Sequence, residues 1–296
     1  MSHAHASKPR LHHLAERIGA AAALDGPAEA VAKWARGAIP KGPVKDTLAG
    51  VPLGHAAHPL MIVLPIGTWT SATLLDLVGG KESRPAARRL IAAGLLSSLP
   101  TAASGLNDWA DTTPASDSVR RVGAVHALAN VAALTLFGAS LAARRGGDHG
   151  RGVALGLAGM GAIGVGGHLG GHLSYAEAVG VDQTAFESGP QEWTAVLDDS
   201  ALPERELRGV EVDGRPVVLA RTGGTVHALA GRCAHRGGSL ADGELKGECV
   251  VCPLHGSEFR LADGSVERGP SAYPQPVFDV RVTDGRIEIK ALDAGS

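Results

Sequence analysis

Residues 228–238, ALAGRCAHRGG, and residues 249–259, CVVCPLHGSEF, decide how this 296-residue chain reads. Each stretch places a cysteine and a histidine on one short loop, as Cys233-Ala234-His235 and as Cys252-Pro253-Leu254-His255. The chain holds 3 cysteines, and the third, Cys249, has no partner, so a disulfide framework is excluded. Two thiolates and two imidazoles on paired loops suit a two-iron, two-sulfide cluster, with Cys233 and Cys252 on one iron and His235 and His255 on the other. A single zinc takes the same donors, but usually from a smaller fold with the histidine pair on a helix. Gly237, Gly238 and Gly256 let backbone amides turn toward cluster sulfides.

Outward from these boxes, residues 192–292 read as short β runs: 194–197, 210–212, 217–220, 226–228, 277–282 and 287–289. Turn pairs separate them, among them Asp213-Gly214, Gly223-Gly224, Asp263-Gly264 and Asp284-Gly285. A small all-β domain is expected.

The two boxes, with Trp193 ahead of them, Ser257 and Phe259 in the second box and Gly269-Pro270 after it, resemble the Rieske iron–sulfur family. The resemblance spans about residues 192–292 and implies a [2Fe-2S] cluster, one per chain, held by Cys233, His235, Cys252 and His255. Gly237, Gly256, Ser257, Phe259 and Pro270 would surround it. High-potential members carry an additional bridged cysteine in each box; Gly238 and Leu254 stand at those places, so that bridge is absent. Phe259 stands where those members have a tyrosine and offers no hydroxyl to the cluster. Fewer hydrogen bonds to the sulfurs imply a potential toward the ferredoxin end of the range. No further histidine follows His255, so an attached catalytic iron domain is not expected. An electron carrier is expected, not a complete enzyme.

The apolar residues crowd into four segments, about 59–80, 90–106, 122–143 and 153–175. Each has the length a bilayer crossing needs, the second marginally. Their faces carry Ala, Leu, Gly, Ser and Thr where a soluble helix would show a charged stripe. The fourth is rich in glycine, which weakens a helix in water but permits close backbone approach in lipid. A four-helix transmembrane bundle over residues 51–176 is expected, followed by a linker at 177–191. The fold class is α + β, multidomain.

Gly54-His55-Ala56-Ala57-His58-Pro59, Asn107-Asp108-Trp109 and the run from Gly166 to Tyr175 resemble a bacterial membrane domain of unknown function, family 2231. The resemblance implies a fold over about 45–180, a multi-pass place in the bacterial cytoplasmic membrane, and no established activity. Up-and-down topology brings His55, His58, Asp108, His126, His168 and His172 to one face. Ionisable groups at membrane depth are costly and mark candidate sites. Haem b, a quinone pocket and plain interhelical hydrogen bonding are the three uses open to them.

Residues 1–50 read as a polar arm with two amphipathic helices, and His3, His5, His12 and His13 there are expected to be solvated. Net charge is -2, which supplies no basic field for nucleic acid. Lys41, Lys45, Arg120 and Arg121 flank one membrane face; Lys81, Arg84, Arg88, Arg89, Arg144, Arg145 and Arg151 flank the other. That bias sets the cluster domain outside the cytoplasm, whereas cluster assembly and the lack of a twin-arginine signal favour the cytoplasm. The cytoplasmic side is the expectation carried forward. The expected function is one-electron transfer at a membrane face with an unknown donor and acceptor. A redox or iron sensor controlling a membrane transport or signalling domain is the alternative.

Overall fold

The computed structural model describes residues 10–113 and 116–292. His3 and His5 lie outside them. The chain divides into two compact units, Met1–Ile39 with Ala57–Val179, and Pro40–Ala56 with Gly180–Ser296.

The first unit is helical. Helices α1 (Arg10–Gly19) and α2 (Asp25–Ala38) precede α4 (Ala57–Met61), α5 (Val63–Val78), α6 (Arg84–Thr112), α7 (Asp117–Arg145) and α8 (His149–Tyr175); α3 (Pro43–Ala49) falls in the other unit. Four stretches are long and apolar enough to cross a membrane: Ala57–Val78, Lys81–Thr112, Asp117–Arg145 and His149–Tyr175. Leu64, Leu77, Leu96 and Leu128 are exposed on the bundle, which suits lipid as solvent because its tails are as apolar as leucine. Helix α6 runs on through Pro100, well beyond the expected 90–106 segment at both ends.

Glycine explains the tightest packing. On α8, Gly152, Gly156, Gly159, Gly166 and Gly170 form one row whose Cβ positions would meet Arg144, Ser140, Phe137, Asn130 and His126 of α7. Gly161, Gly164 and Gly167 meet nothing within 4 Å. The glycines that matter are thus those on one face, where small residues let two backbones approach. A buried ion pair lies at the Gly152 end of this row: Arg144 Nη1 donates to Asp76 Oδ1 at 2.7 Å and Nη2 to Oδ2 at 2.5 Å. The arm helices pack onto this unit, with Ala15 against Val119 and Leu169, and Ala28 and Ala32 against Trp109.

The second unit carries ten strands among the described residues. A six-stranded antiparallel sheet runs in the order β1 (Thr194–Asp198), β10 (Arg286–Ala291), β9 (Val277–Thr283), β4 (Thr225–Ala230), β3 (Arg215–Thr222), β2 (Leu207–Val212). A four-stranded sheet follows as β5 (Glu244–Lys246), β6 (Cys249–Val251), β7 (Glu258–Arg260), β8 (Val266–Arg268). The second sheet leaves no signal in the sequence, because strands of 3 residues are too short to show period-two alternation. The core of Val218, Leu229, Leu240, Val250, Phe259 and Leu261 also contains Cys233 and Cys252.

One boundary differs from expectation. Residues Pro40–Ala56 group with the β domain. The physical reason is Asp46, whose carboxylate accepts from Arg268 Nη1 at 2.8 Å and from the Gly269 amide at 3.1 Å. The segment 177–191, expected as a linker, carries bonds within each unit. Val179 N bonds back to Leu173 O on the helical unit, while Gln183 N donates to Ala234 O and Ala291 N to Pro190 O within the β unit.

Candidate metal centre

The two boxes fold into matching loops. In the first, Cys233 N donates to Gly238 O and Gly237 N donates back to Cys233 O, both at 2.8 Å. In the second, Cys252 N donates to Ser257 O at 2.9 Å and Gly256 N to Cys252 O at 3.0 Å. The residue four beyond each cysteine therefore closes the turn, with φ of 69° at Gly237 and 77° at Gly256. Side chains with a Cβ resist that conformation, which is why both positions are glycine. The first loop follows β4 and the second joins β6 to β7, so each sheet offers one loop.

The loops bring like donors together. Cys233 and Cys252 share a side-chain hydrogen bond. The His235 and His255 rings stand edge to face at 5.0 Å. Nδ1 of His235 and Nε2 of His255 are buried without a hydrogen-bond partner, a costly state that a metal would relieve. Among the described residues no group of three or more His, Cys, Asp or Glu is gathered as around one metal ion. A thiol pair beside an imidazole pair fits a two-iron cluster.

Electrostatics support ligation. Burial pushes the His235 imidazole down to about 3, helped by His255, Arg236 and Lys45. Burial and then Arg236 lower His255 to about 4. Both rings are therefore neutral, the form that binds metal. The shared hydrogen bond and burial push the Cys233 thiol up; the same bond, with the Leu254 and His255 amides, pulls Cys252 down.

A buried amide holds the first loop. Gln275 Nε2 donates to Ala230 O at 2.7 Å and to Arg232 O at 2.6 Å, while its Oε1 accepts from Ala234 N at 3.0 Å. Ser257 Oγ accepts from Ser271 N at 3.0 Å. Phe259 is fully buried in the core. Pro270 lies in the loop after β8, next to the Gly269 that Asp46 holds. A Cβ on Gly238 would lie 2.7 Å from Leu254 Cδ1, so the positions of the missing bridge do face each other. Cys249 sits on β6, buried, apart from the donors.

A family model described as a Rieske [2Fe-2S] domain matches residues 192–279. Ferredoxin CarAc of Metapseudomonas resinovorans is 31% identical over 100 residues, 33% of this chain and 94% of that protein. The chain belongs to the Rieske family. A ferredoxin component of the naphthalene 1,2-dioxygenase/salicylate 5-hydroxylase systems of Ralstonia sp is 30% identical, over 34% of this chain and 96% of that one. Among solved structures, the ferredoxin of carbazole 1,9a-dioxygenase from Nocardioides aromaticivorans IC177 is 26% identical, covering 34% of this chain and all of that one, with a TM-score of 0.33. A second family model, a predicted membrane protein (DUF2231), matches residues 54–183. The Rieske domain supports a [2Fe-2S] cluster and an electron-transfer role, and the helical unit makes this a multi-pass membrane protein.

Of the six membrane-side residues, five lie in the helical unit and one in the β unit. His55 belongs with the β unit, its ring 5.6 Å from Tyr273. Nδ1 of His58 contacts Thr101 O at 3.0 Å, and the ring fills the space at Gly105 on α6. Nδ1 of His126 contacts Gly166 O at 2.8 Å and its Nε2 faces Asn130 Nδ2 at 3.1 Å. His172 stands 3.8 Å from Glu177 with its ring 5.6 Å from His12, and His168 Nε2 is 3.4 Å from Leu11 O. Asp108 accepts from neighbouring Asn107 at 3.5 Å. Within the helical unit, α1 lies at the His168–His172 end, where His12 and Leu11 meet the two rings. Sequence also gave no sign of Gln275, Lys45 or Asp46, since each acts across more than 40 intervening residues.

Proposed function

We propose that this chain is a membrane-anchored Rieske electron carrier that exchanges single electrons with a haem, quinone or protein partner at the cytoplasmic-membrane face of a bacterium. The observation that carries this is the pair of matching loops setting a cysteine pair beside a histidine pair. Cys233 and Cys252 would hold one iron and His235 and His255 the other. The [2Fe-2S] group, when bound, supplies a one-electron couple. The chain's own residues do the rest. Gly237 and Gly256 fix the loop turns, Gln275 holds the first loop, and the two-sheet core keeps water from the thiolates. Half-buried His235 and His255 put ring edges near the surface, and exposed Pro253 and Leu254 offer a partner an apolar rim.

Relatives named as ferredoxin components of dioxygenase systems favour a protein partner. The loss of cysteines at 238 and 254 and of the hydroxyl at 259 favours a potential in the ferredoxin range. Of the membrane histidines, His126 is engaged at both ring nitrogens and acts as a tie between α7 and α8; His58 is the candidate for a redox group in the bundle.

The test is purification in detergent, visible spectroscopy, and stopped-flow re-oxidation of the reduced protein by quinone, by membranes and by a soluble oxygenase. A Soret band lost in His58→Ala assigns haem to the bundle. Re-oxidation no faster than that of the same protein with oxidant absent contradicts electron transfer.

A further inference from the structure

The stretch Pro40–Ala56, which precedes the membrane spans in sequence, is built into the Rieske unit at its cluster end. Its contacts fall on the loops that frame the donors. Asp46 holds Arg268 and the Gly269 amide at 2.8 and 3.1 Å. A methyl group on Gly269 would lie 3.2 Å from Val51 Cγ2, and one on Gly256, the neighbour of His255, 2.8 Å from Lys41 Nζ. His55 rests its ring on Tyr273. Between these anchors α3 carries Lys45, only 8% exposed. Its charge reaches the first loop, where it counts among the groups acting on His235, after burial, His255 and Arg236.

Near a site that becomes more negative on reduction, a fixed cation favours the reduced form. We propose that Pro40–Ala56 is a charge-carrying strap, latched by Asp46, that holds Lys45 and Lys41 against the cluster site and raises its reduction potential. Lys45 is a positioning residue here, acting through space on the site and touching no substrate. The inference rests on the Rieske reading above and adds that sequence N-terminal to the membrane spans sets the redox properties.

The experiment is a redox titration of the full chain in detergent, followed by the electron paramagnetic resonance of the reduced cluster. At an effective dielectric of about 20, one unit charge nearby is worth on the order of tenfold in an equilibrium. Lys45→Met should therefore weaken reduction about tenfold, which for one electron is about 59 mV to the negative. Lys45→Arg should retain the wild-type midpoint, and exposed Lys41→Gln should shift it negative by less. If Lys45→Met fails to load, the Lys41→Gln shift decides alone. Midpoints unchanged in both charge-removing variants, with the resonance intact, overturn the strap proposal. Absence of the resonance in the wild-type protein overturns the cluster reading beneath it.

Discussion

Cysteine introduced at both Gly238 and Leu254 should join the two donor loops by a disulfide. The geometry allows it, because the Cβ position of Gly238 lies 3.2 Å from Leu254 Cγ and Gly238 does not need a positive φ. Closing a loop of roughly 16 residues constrains the unfolded chain by about 3 kcal/mol. Leu254 is 46% exposed, so trimming it forfeits no more than about 1 kcal/mol of burial. The net gain of about 2 kcal/mol corresponds to roughly thirtyfold slower global opening. Amide hydrogen exchange on the full chain reads this in the β core, at Val218 and Leu229, which are both fully buried. The oxidised double variant should exchange about thirtyfold more slowly there than the wild-type protein. If peptide mapping finds the new thiols unjoined under oxidant, the facing of the two boxes is wrong. If they join and protection does not rise, the entropy reasoning is wrong.

Three further outcomes follow from the contacts. Asp76→Ala leaves Arg144, whose side chain is 2% exposed, as a buried charge without its partner; the bundle should lose about 3–5 kcal/mol, seen as earlier thermal loss of helix in detergent. Gln275→Leu strands the Ala234 amide and two carbonyls, costing at least about 2 kcal/mol locally, with faster exchange confined to residues 231–239 and lowered iron content. The Arg121 and Arg120 guanidiniums hold the Asp25 carboxyl well below its ordinary value of 3.8. A folded value below the unfolded one gives stability that is present above about pH 3.8 and lost as pH falls through the lowered folded value. Helix α2 should then loosen in acid, read by proteolysis across pH, while Asp25→Asn loosens it at neutral pH and flattens the profile.

The sequence disclosed the donors because Cys-X-His and Cys-X2-His are local patterns, and it disclosed the bundle because four apolar segments of membrane length need no tertiary context. It disclosed the glycines only as a composition. Which ones matter depends on the face of α8 that meets α7, and periodicity alone does not orient a helix apolar all round. The four short strands of the second sheet were hidden by their length. The strap was hidden for another reason: Asp46 and Arg268 are 222 residues apart, and a polar helix before a membrane span reads as an arm wherever it docks. The supposed linker carried Gly189-Pro190, an honest turn signal, yet Pro190 O closes onto Ala291 and ties it to the sheet.

Iron and acid-labile sulfide, counted per chain on protein purified in detergent and set beside its reduced-state paramagnetic resonance, test the central claim most directly. The account predicts about two of each with a Rieske resonance that disappears in Cys252→Ser. A colourless protein holding about one zinc per chain on the same four residues would contradict it.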